Sequence, residues 1–288
     1  MDVGIGLPNA VAETTGDQLT DWAKAAEDAG FSSLGTIDRI AYGNFDPMSA
    51  LAAAATVTER IRLATTVMLA PLRANAAMIA KQALSLDALA GGDRVTLGLA
   101  VGGREDDYEV SGLPMEKRGA WFDDALGDLR KILDGDGELQ SKVGPRPKSG
   151  GPELILGGSI DTTFERAARH GEGWIMGGGT PDQFAEGLEK LKAAWEKEGR
   201  DGEPQSKALA YFALGEDGES SADSYLHDYY AFLGKETSDA IAGSAATDAE
   251  TVKVYASAFE EAGCGELFFM PCSSDSKQVE LLAEATGN

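Results

Sequence analysis

Short apolar runs alternate with stretches of helical periodicity along almost the whole chain. Eight runs have the length and the apolar or β-branched character of buried strands, and helical patterns separate them. They span residues 3–7, 33–37, 62–69, 94–101, 153–156, 173–176, 208–214 and 266–270. Strands of a parallel sheet are continuously apolar because helices cover both of its faces. Eight strand–helix units therefore predict an α/β fold, a closed (β/α)8 TIM barrel with inserted loops.

Capping signals support the predicted helix starts. Thr15 and Gln18 have the spacing of a capping box, in which the side chain of each residue can accept a hydrogen bond from the backbone amide of the other. Asp46 followed by Pro47 predicts an N-cap and a first-turn proline for a helix that runs to about residue 59. These signals place helices directly after the first two strands.

A doubly wound open sheet is the rival architecture. That fold usually has the glycine pattern G-x-G-x-x-G between its first strand and first helix. Here Gly4 and Gly6 lie within the first strand and the third glycine is missing. The pattern therefore favours the barrel.

Three segments interrupt the alternation, and we expect all of them to be insertions in one barrel domain over residues 1–288. They lie near 102–118, where a long acidic loop is predicted, near 134–152, which is rich in turn residues, and near 216–246. The last segment is polar but carries an aromatic group that predicts a helix packed on the barrel or over a cavity: Tyr225, Tyr229, Tyr230, Phe232 and Leu233.

Composition and charge exclude several classes of partner. The 288 residues include 48 acidic and 25 basic side chains, for a net charge of -23. Such a surface repels polyanions, so we expect no nucleic-acid partner and no anionic membrane partner. No apolar run approaches the roughly 18 residues that span a bilayer. The N-terminus begins with a strand rather than a signal sequence, which predicts a cytoplasmic protein.

No metal site is expected. The two cysteines, Cys264 and Cys272, form neither a CxxC pair nor a cluster with histidine, so both are predicted to be buried reduced thiols. The two histidines, His170 and His227, fall on predicted helices away from the strand ends, which indicates structural roles.

The strongest local signal for binding follows the fifth strand. Gly157 and Gly158 end that strand, and Ser159 and Thr162 precede a helix. Glycines let a backbone approach an anion, while hydroxyls, amides and a helix N-terminus can hold a phosphate. A plain strand–helix turn is the alternative. Because barrel ligands bind at the carboxyl ends of strands, the position favours an anion site.

Other strand ends carry further candidates. Asp38 and Arg39 follow the second strand and are the candidate catalytic residues, although a buried Asp–Arg ion pair would also explain them. Gly102 ends the fourth strand and would let a flat ligand lie close. Arg104 stands among acidic residues, which predicts a surface ion pair.

In their order and spacing, four segments resemble the bacterial luciferase-like superfamily of flavin-dependent oxidoreductases. They read TIDRIAYGNFDP, RIRLATTVMLAPLR, QALSLDALAGGDRVTLGLAVGG and ELILGGSIDTTFERAARHGEGWIMGGG. The resemblance covers nearly the whole chain. It implies a barrel with FMN, or its deazaflavin analogue F420, across the carboxyl ends of the strands.

The resemblance also implies site residues. The phosphate contacts fall on Gly158, Ser159, Ile160 and Thr162, with Gly157 and Thr163 beside them. A non-prolyl cis peptide behind the isoalloxazine ring corresponds to Thr66–Val67. The ring would be flanked by Thr36, Asp38, Met68 and Gly102.

The chain departs from the family pattern at two positions. Many members carry a histidine where this chain has Arg39, and luciferase itself has a phosphate-binding arginine where this chain has Val101. A phosphate would therefore be held by backbone and hydroxyl donors, or by Arg39, Arg73 or Arg104.

The expected function is that of a flavin-dependent oxidoreductase, and more narrowly a monooxygenase, acting on a small organic molecule. FMN is slightly favoured over F420, which would instead transfer hydride, and NAD(P)H could act indirectly through a partner flavin reductase. The family resemblance also suggests a homodimer. A non-catalytic flavin-binding protein and a barrel enzyme for phosphorylated sugars remain as alternatives.

Overall fold

The computed structural model describes residues 1–147 and 150–288. Its strands are β1 (Asp2–Gly6), β2 (Ser33–Thr36), β3 (Arg62–Thr65), β4 (Met68–Leu69), β5 (Val95–Ala100), β6 (Glu153–Gly157), β7 (Gly173–Met176), β8 (Gln205–Phe212) and β9 (Glu266–Pro271). Its α-helices are α1 (Gly16–Asp28), α2 (Pro47–Ala55), α3 (Ala76–Leu89), α4 (Glu105–Val110), α5 (Arg118–Asp134), α6 (Asp161–His170), α7 (Pro181–Lys197), α8 (Gly218–Tyr229), α9 (Lys235–Ala242), α10 (Ala249–Glu261) and α11 (Lys277–Thr286).

The strands form one closed parallel barrel, which confirms the predicted fold class. The order β3-β2-β1-β9-β8-β7-β6-β5-β4 is closed by a further pairing of β3 with β5. In that closing pair Leu63 lies opposite Val95 and Ala64 opposite Thr96. Because every pairing is parallel, all the strands end at one rim, where ligands bind in this fold.

The run predicted as one strand over 62–69 is divided into β3 and β4. The peptide between Thr66 and Val67 is cis, as the family resemblance implies, and it separates the two pieces. The break lets β5 pair with β3 through its first residues and with β4 through Leu99 and Ala100.

Three of the described helices were not predicted, and one of them is α9, which shares the 216–246 insertion with the single aromatic helix expected there. The acidic stretch expected to be a loop after the fourth strand contains α4, and α10 lies between the 216–246 insertion and the last strand. The predicted helix starts at Thr15 and Asp46 are confirmed: Thr15 and Gln18 form a complete capping box, and Asp46 caps α2. That second helix ends at Ala55, earlier than expected, because a turn follows it.

Two layers of apolar packing hold the barrel. The larger lies between the strands and the surrounding helices and includes fully buried Trp22, Leu51 and Phe184. The second extends from the barrel interior around Phe268 to the aromatic residues of the 216–246 insertion. Both cysteines are free and buried, as expected.

The closing strands approach one another so closely that only glycine fits at position 98. A Cβ atom added to Gly98 would lie 2.0 Å from the carbonyl oxygen of Thr65, a backbone atom that cannot turn away. The Thr65 hydroxyl also donates to the Gly98 carbonyl at 2.7 Å. The barrel therefore closes through direct backbone contact at this point.

Gly98→Ala should destabilise the fold by at least about 2 kcal/mol, because the added methyl group forces β3 and β5 apart. Gly127→Ala is the matched control, since Gly127 lies in α5 with no atom within 4 Å of an added Cβ. The control should gain about 0.5–1 kcal/mol from helix propensity. Urea unfolding followed by tryptophan fluorescence measures both, and equal stabilities would contradict the assigned closure.

Candidate active site

A cavity of about 210 Å³ lies at the rim where the strands end. Its walls come from the ends of β2, β3, β5, β7 and β8 and from the segment after α8. The lining residues are Ile37, Asp38, Thr66, Val67, Leu69, Gly102, Gly103, Arg104, Asp107, Gly177, Leu209, Tyr211, Tyr229, Tyr230 and Phe232.

Part of the predicted site lines this cavity. Asp38, Thr66, Val67 and Gly102 are in its wall. Thr36 and Met68 are fully buried within β2 and β4 and do not line it. Arg39 is buried behind the wall, so its side chain supports the cavity rather than facing it.

Asp38 is a buried carboxylate with one oxygen free. Its Oδ2 accepts hydrogen bonds from the Leu69 amide at 2.9 Å and from the Arg73 guanidinium at 2.5 Å. Its Oδ1 is buried without a hydrogen-bond partner. Burial raises the pKa of the Asp38 carboxyl, and Arg73 opposes that rise. A cavity-facing carboxylate of this kind can accept a hydrogen bond or hold a proton.

Arg39 pairs with α4 rather than with Asp38. Its Nε lies 3.0 Å from Asp107 and its Nη2 lies 2.5 Å from Asp106. Asp107 also accepts from the backbone amides of Ile40 and Ala41, at 2.8 and 2.7 Å. Asp38 and Arg39 are thus both in buried ion pairs, as the alternative explanation expected. They do not pair with each other, because Asp38 pairs with Arg73 and Arg39 with Asp107.

The expectation of a surface ion pair for Arg104 is wrong. Arg104 is only 8% exposed, and its guanidinium lies 4.0 Å from the ring centroid of Phe232 and 4.2 Å from that of Tyr229. Nη1 donates to the Tyr229 carbonyl at 2.6 Å. Cation–π contacts and this hydrogen bond replace the predicted carboxylate partner.

Aromatic residues of the 216–246 insertion form one wall of the cavity, although the sequence left open whether they pack on the barrel or over a cavity. Tyr229, Tyr230 and Phe232 line the cavity, so the insertion covers the rim as well as packing on the barrel. The hydroxyl of Tyr230 lies 2.8 Å from that of Tyr211 on β8, and burial raises the pKa of both groups. Sequence reasoning did not select Tyr211, because it lies inside an ordinary apolar strand.

The predicted phosphate turn lies next to the cis peptide. A Cβ atom added to Gly157 would lie 3.0 Å from Cγ1 of Val67, so the two strand ends are in contact. Gly158 has φ of +135°, and an added Cβ would lie 2.7 Å from the Thr163 hydroxyl. Ser159 and the residues that follow it up to Thr162 are exposed at the rim.

The helix after this turn begins without a capping side chain. Ile160 is the N-cap of α6 and makes no side-chain cap bond, whereas α1 and α7 both begin with complete capping boxes. The first amides of a helix need partners and carry a positive partial charge. Asp161 adds one negative charge there, which Lys190 balances at 3.0 Å.

The described residues, 1–147 and 150–288, contain no group of three potential metal ligands. Within the same ranges no helix combines the length and the apolar character needed to cross a bilayer.

A family model of luciferase-like monooxygenases matches residues 1–265. The chain belongs to the luciferase-like monooxygenase family. The Mycobacterium tuberculosis protein Rv0940c is 35% identical over 209 residues, which cover 62% of this chain and 71% of that relative.

Solved structures share the fold of this family member. Monooxygenase RslO1 from Streptomyces bottropensis superposes with a TM-score of 0.81 at 20% identity and covers 99% of this chain and 98% of its own. An F420-dependent secondary alcohol dehydrogenase, in complex with an F420–acetone adduct, gives a TM-score of 0.83 at 17% identity, with 99% and 97% covered. At these identities the likeness concerns the fold alone.

Asp107→Ala should destabilise the luciferase-like barrel by about 3 kcal/mol, because it removes the buried one of the two carboxylates that pair with Arg39 and leaves two loop amides without an acceptor. Asp106→Ala is the matched control on the same guanidinium. The Asp106 side chain is 49% exposed against 1% for Asp107, so the control should cost less than about 1 kcal/mol. Urea unfolding of both variants tests this, and equal losses would refute the assigned difference.

Proposed function

We propose that the chain is a flavin-dependent oxidoreductase that binds FMN across the rim of the barrel and acts on a small organic molecule, most specifically as a monooxygenase. One observation carries the proposal: the turn from Gly157 to Thr163 contacts Val67 of the cis peptide beside the cavity. An anion-binding turn and a surface for a flat ring are thus adjacent, as a molecule with both parts requires.

The residues of the turn fit a phosphate. The uncapped start of α6 offers backbone amides, and Ser159 and Thr162 add exposed hydroxyls. Arg39 and Arg73 are each engaged by two carboxylates, so they are not free to hold it. The phosphate contacts therefore involve Gly158, Ser159, Ile160 and Thr162, with Gly157 and Thr163 shaping the turn.

Charge near the turn favours FMN over F420. The neighbouring cavity of about 300 Å³ is lined by Ser159, Glu186 and Lys190, and Lys190 already pairs with Asp161. FMN has one ionic group, its phosphate, whereas F420 carries additional carboxylates on a longer tail. A surface with a net charge of -23 and no free cation at this turn, among the described residues, disfavours such a tail.

The protein side of the reaction consists of binding, orientation and exclusion of water. Thr66, Val67 and Gly102 would contact the ring, with Thr36 and Met68 supporting the strands beneath it. Asp38 would hold a proton or a hydrogen bond at its free Oδ1, and Arg39 would position α4. When bound, a flavin supplies the redox chemistry, with NAD(P)H as an indirect reductant through a partner reductase.

FMN should bind the cofactor-free chain at least tenfold more tightly than riboflavin, which lacks the phosphate, and more tightly than F420. Ser159→Asp should weaken FMN at least tenfold by charge repulsion and leave riboflavin affinity unchanged. Fluorescence titration measures all of these affinities. Equal binding of FMN and riboflavin would contradict the phosphate assignment, and tighter binding of F420 would favour the hydride-transfer alternative.

With reduced FMN and oxygen, the chain should convert an added organic compound into a product that is heavier by one oxygen atom, as mass spectrometry measures; oxygen uptake alone is no readout, because free reduced FMN consumes oxygen without a substrate. Asp38→Asn should lower that turnover about 100-fold without changing FMN affinity. Asp46→Asn is the control, because Asp46 contacts the same Arg73 but does not line the cavity. FMN binding without turnover would indicate a non-catalytic flavin-binding protein, and turnover of sugar phosphates without flavin would indicate the other alternative.

A further inference from the structure

A second cavity, of about 440 Å³, lies beside the first at the same rim. The loop after β7, the strand β8 and the helices α9 and α10 enclose it. The lining residues are Gly177, Gly178, Gly179, Thr180, Pro181, Leu209, Ala210, Tyr211, Tyr230, Thr237, Ala240, Ile241, Ser244, Tyr255 and Phe259.

None of the residues that line this second cavity is charged. That is unusual in a chain in which 25% of the residues are Asp, Glu, Lys or Arg. The first cavity contains Asp38, Arg104 and Asp107, and the cavity beside the phosphate turn contains Glu186 and Lys190. The polar groups of the second cavity are the hydroxyls of threonine, serine and tyrosine residues and backbone atoms.

The orientation of α9 produces this exclusion of charge. Thr237, Ala240 and Ile241 of α9 recur at the spacing of one helical face and line the cavity, as does Ser244 just after the helix. The charged residues of the helix lie elsewhere: Asp239 forms ion pairs with Lys235 at 2.8 Å and with His227 at 2.8 Å. The helix thus presents an uncharged face inward and an ionic face outward.

The two cavities share a wall. Gly177, Leu209, Tyr211 and Tyr230 line both of them. The hydroxyl pair of Tyr211 and Tyr230, 2.8 Å apart, is the polar element of this wall. A molecule in the second cavity would therefore meet two hydroxyls on its way to the ring site.

We propose that the second cavity binds the organic substrate, and that this substrate is an uncharged, largely apolar molecule whose non-ionic oxygen meets Tyr211 and Tyr230. The assignment of substrate rests on the proposed function, whereas the preference for a neutral ligand rests on the cavity itself. A charged group would lose hydration there and would meet no side chain of opposite charge. The volume lies within the roughly 300–1,000 Å³ typical of small-molecule sites.

Two probes with one ring skeleton test the charge preference. 2-Acetylnaphthalene is a neutral ketone, and 2-naphthoate is a carboxylate of similar size. Calorimetric titration of the cofactor-free chain should give a dissociation constant at least tenfold lower for the ketone. Equal or tighter binding of 2-naphthoate would overturn the proposal, and so would the absence of measurable binding of the ketone.

Isoleucine methyl NMR locates the bound ketone. Ile241 lines only the second cavity and Ile37 only the first, so their methyl signals distinguish the two. Addition of 2-acetylnaphthalene should shift the Ile241 signal, assigned through Ile241→Val, more than that of Ile37. A shift confined to Ile37 would place the ligand in the first cavity and overturn the assignment.

A substituted rim residue provides the final test. Ala240 is exposed at the edge of the cavity, so Ala240→Asp should fold normally and weaken ketone binding at least fivefold. Ser257→Asp adds the same charge at an exposed position of α10 that does not line the cavity, and should leave affinity within twofold. Equal affinities in the two variants would refute the proposal. Because no cofactor is present, this result is independent of whether FMN binds.

Discussion

The barrel depends on its closing contact between β3 and β5, where the backbones meet at Gly98. Because every pairing in the closed barrel is parallel, all the strands end at one rim, and the break after β3 places the cis peptide of Thr66 and Val67 at that rim. The same geometry brings the end of β6 against Val67. The features of the candidate site are far apart in sequence, and they converge because one continuous parallel barrel has a single edge for all its strand ends.

Buried ion pairs then fix the parts of the rim that strands cannot position. Arg39 ties the loop after β2 to α4 through Asp106 and Asp107, and Arg73 ties the loop after β4 to Asp38 and α2. Such pairs contribute little net stability compared with apolar packing, but removing one partner leaves a buried charge. In this chain they leave Oδ1 of Asp38, a residue of the cavity wall, buried without a hydrogen-bond partner.

Local sequence patterns were sufficient for the barrel, the capping box at Thr15 and the strand–helix turn after Gly157, because each depends on periodicity or on neighbouring residues. The surroundings of Arg104 were not predictable in this way. Its acidic neighbours in sequence suggested an ion pair, yet its partners Tyr229 and Phe232 come from an insertion more than a hundred residues away. Likewise, the apolar pattern of β8 could not show that Tyr211 faces a cavity.

The 216–246 insertion covers the rim while contributing almost nothing to the barrel wall. Its backbone pairs with the sheet through an isolated bridge between Phe212 and Ala246, and its side-chain attachments include Tyr230 to Tyr211 at 2.8 Å and Asp228 to Tyr42 at 2.5 Å. Mutation, lengthening or shortening of this segment would leave strand register intact while reshaping both cavities. Ligand preference can therefore diverge between descendants of one ancestral barrel through the cavity-lining residues of this segment, which makes the insertion the region in which to look for adaptation.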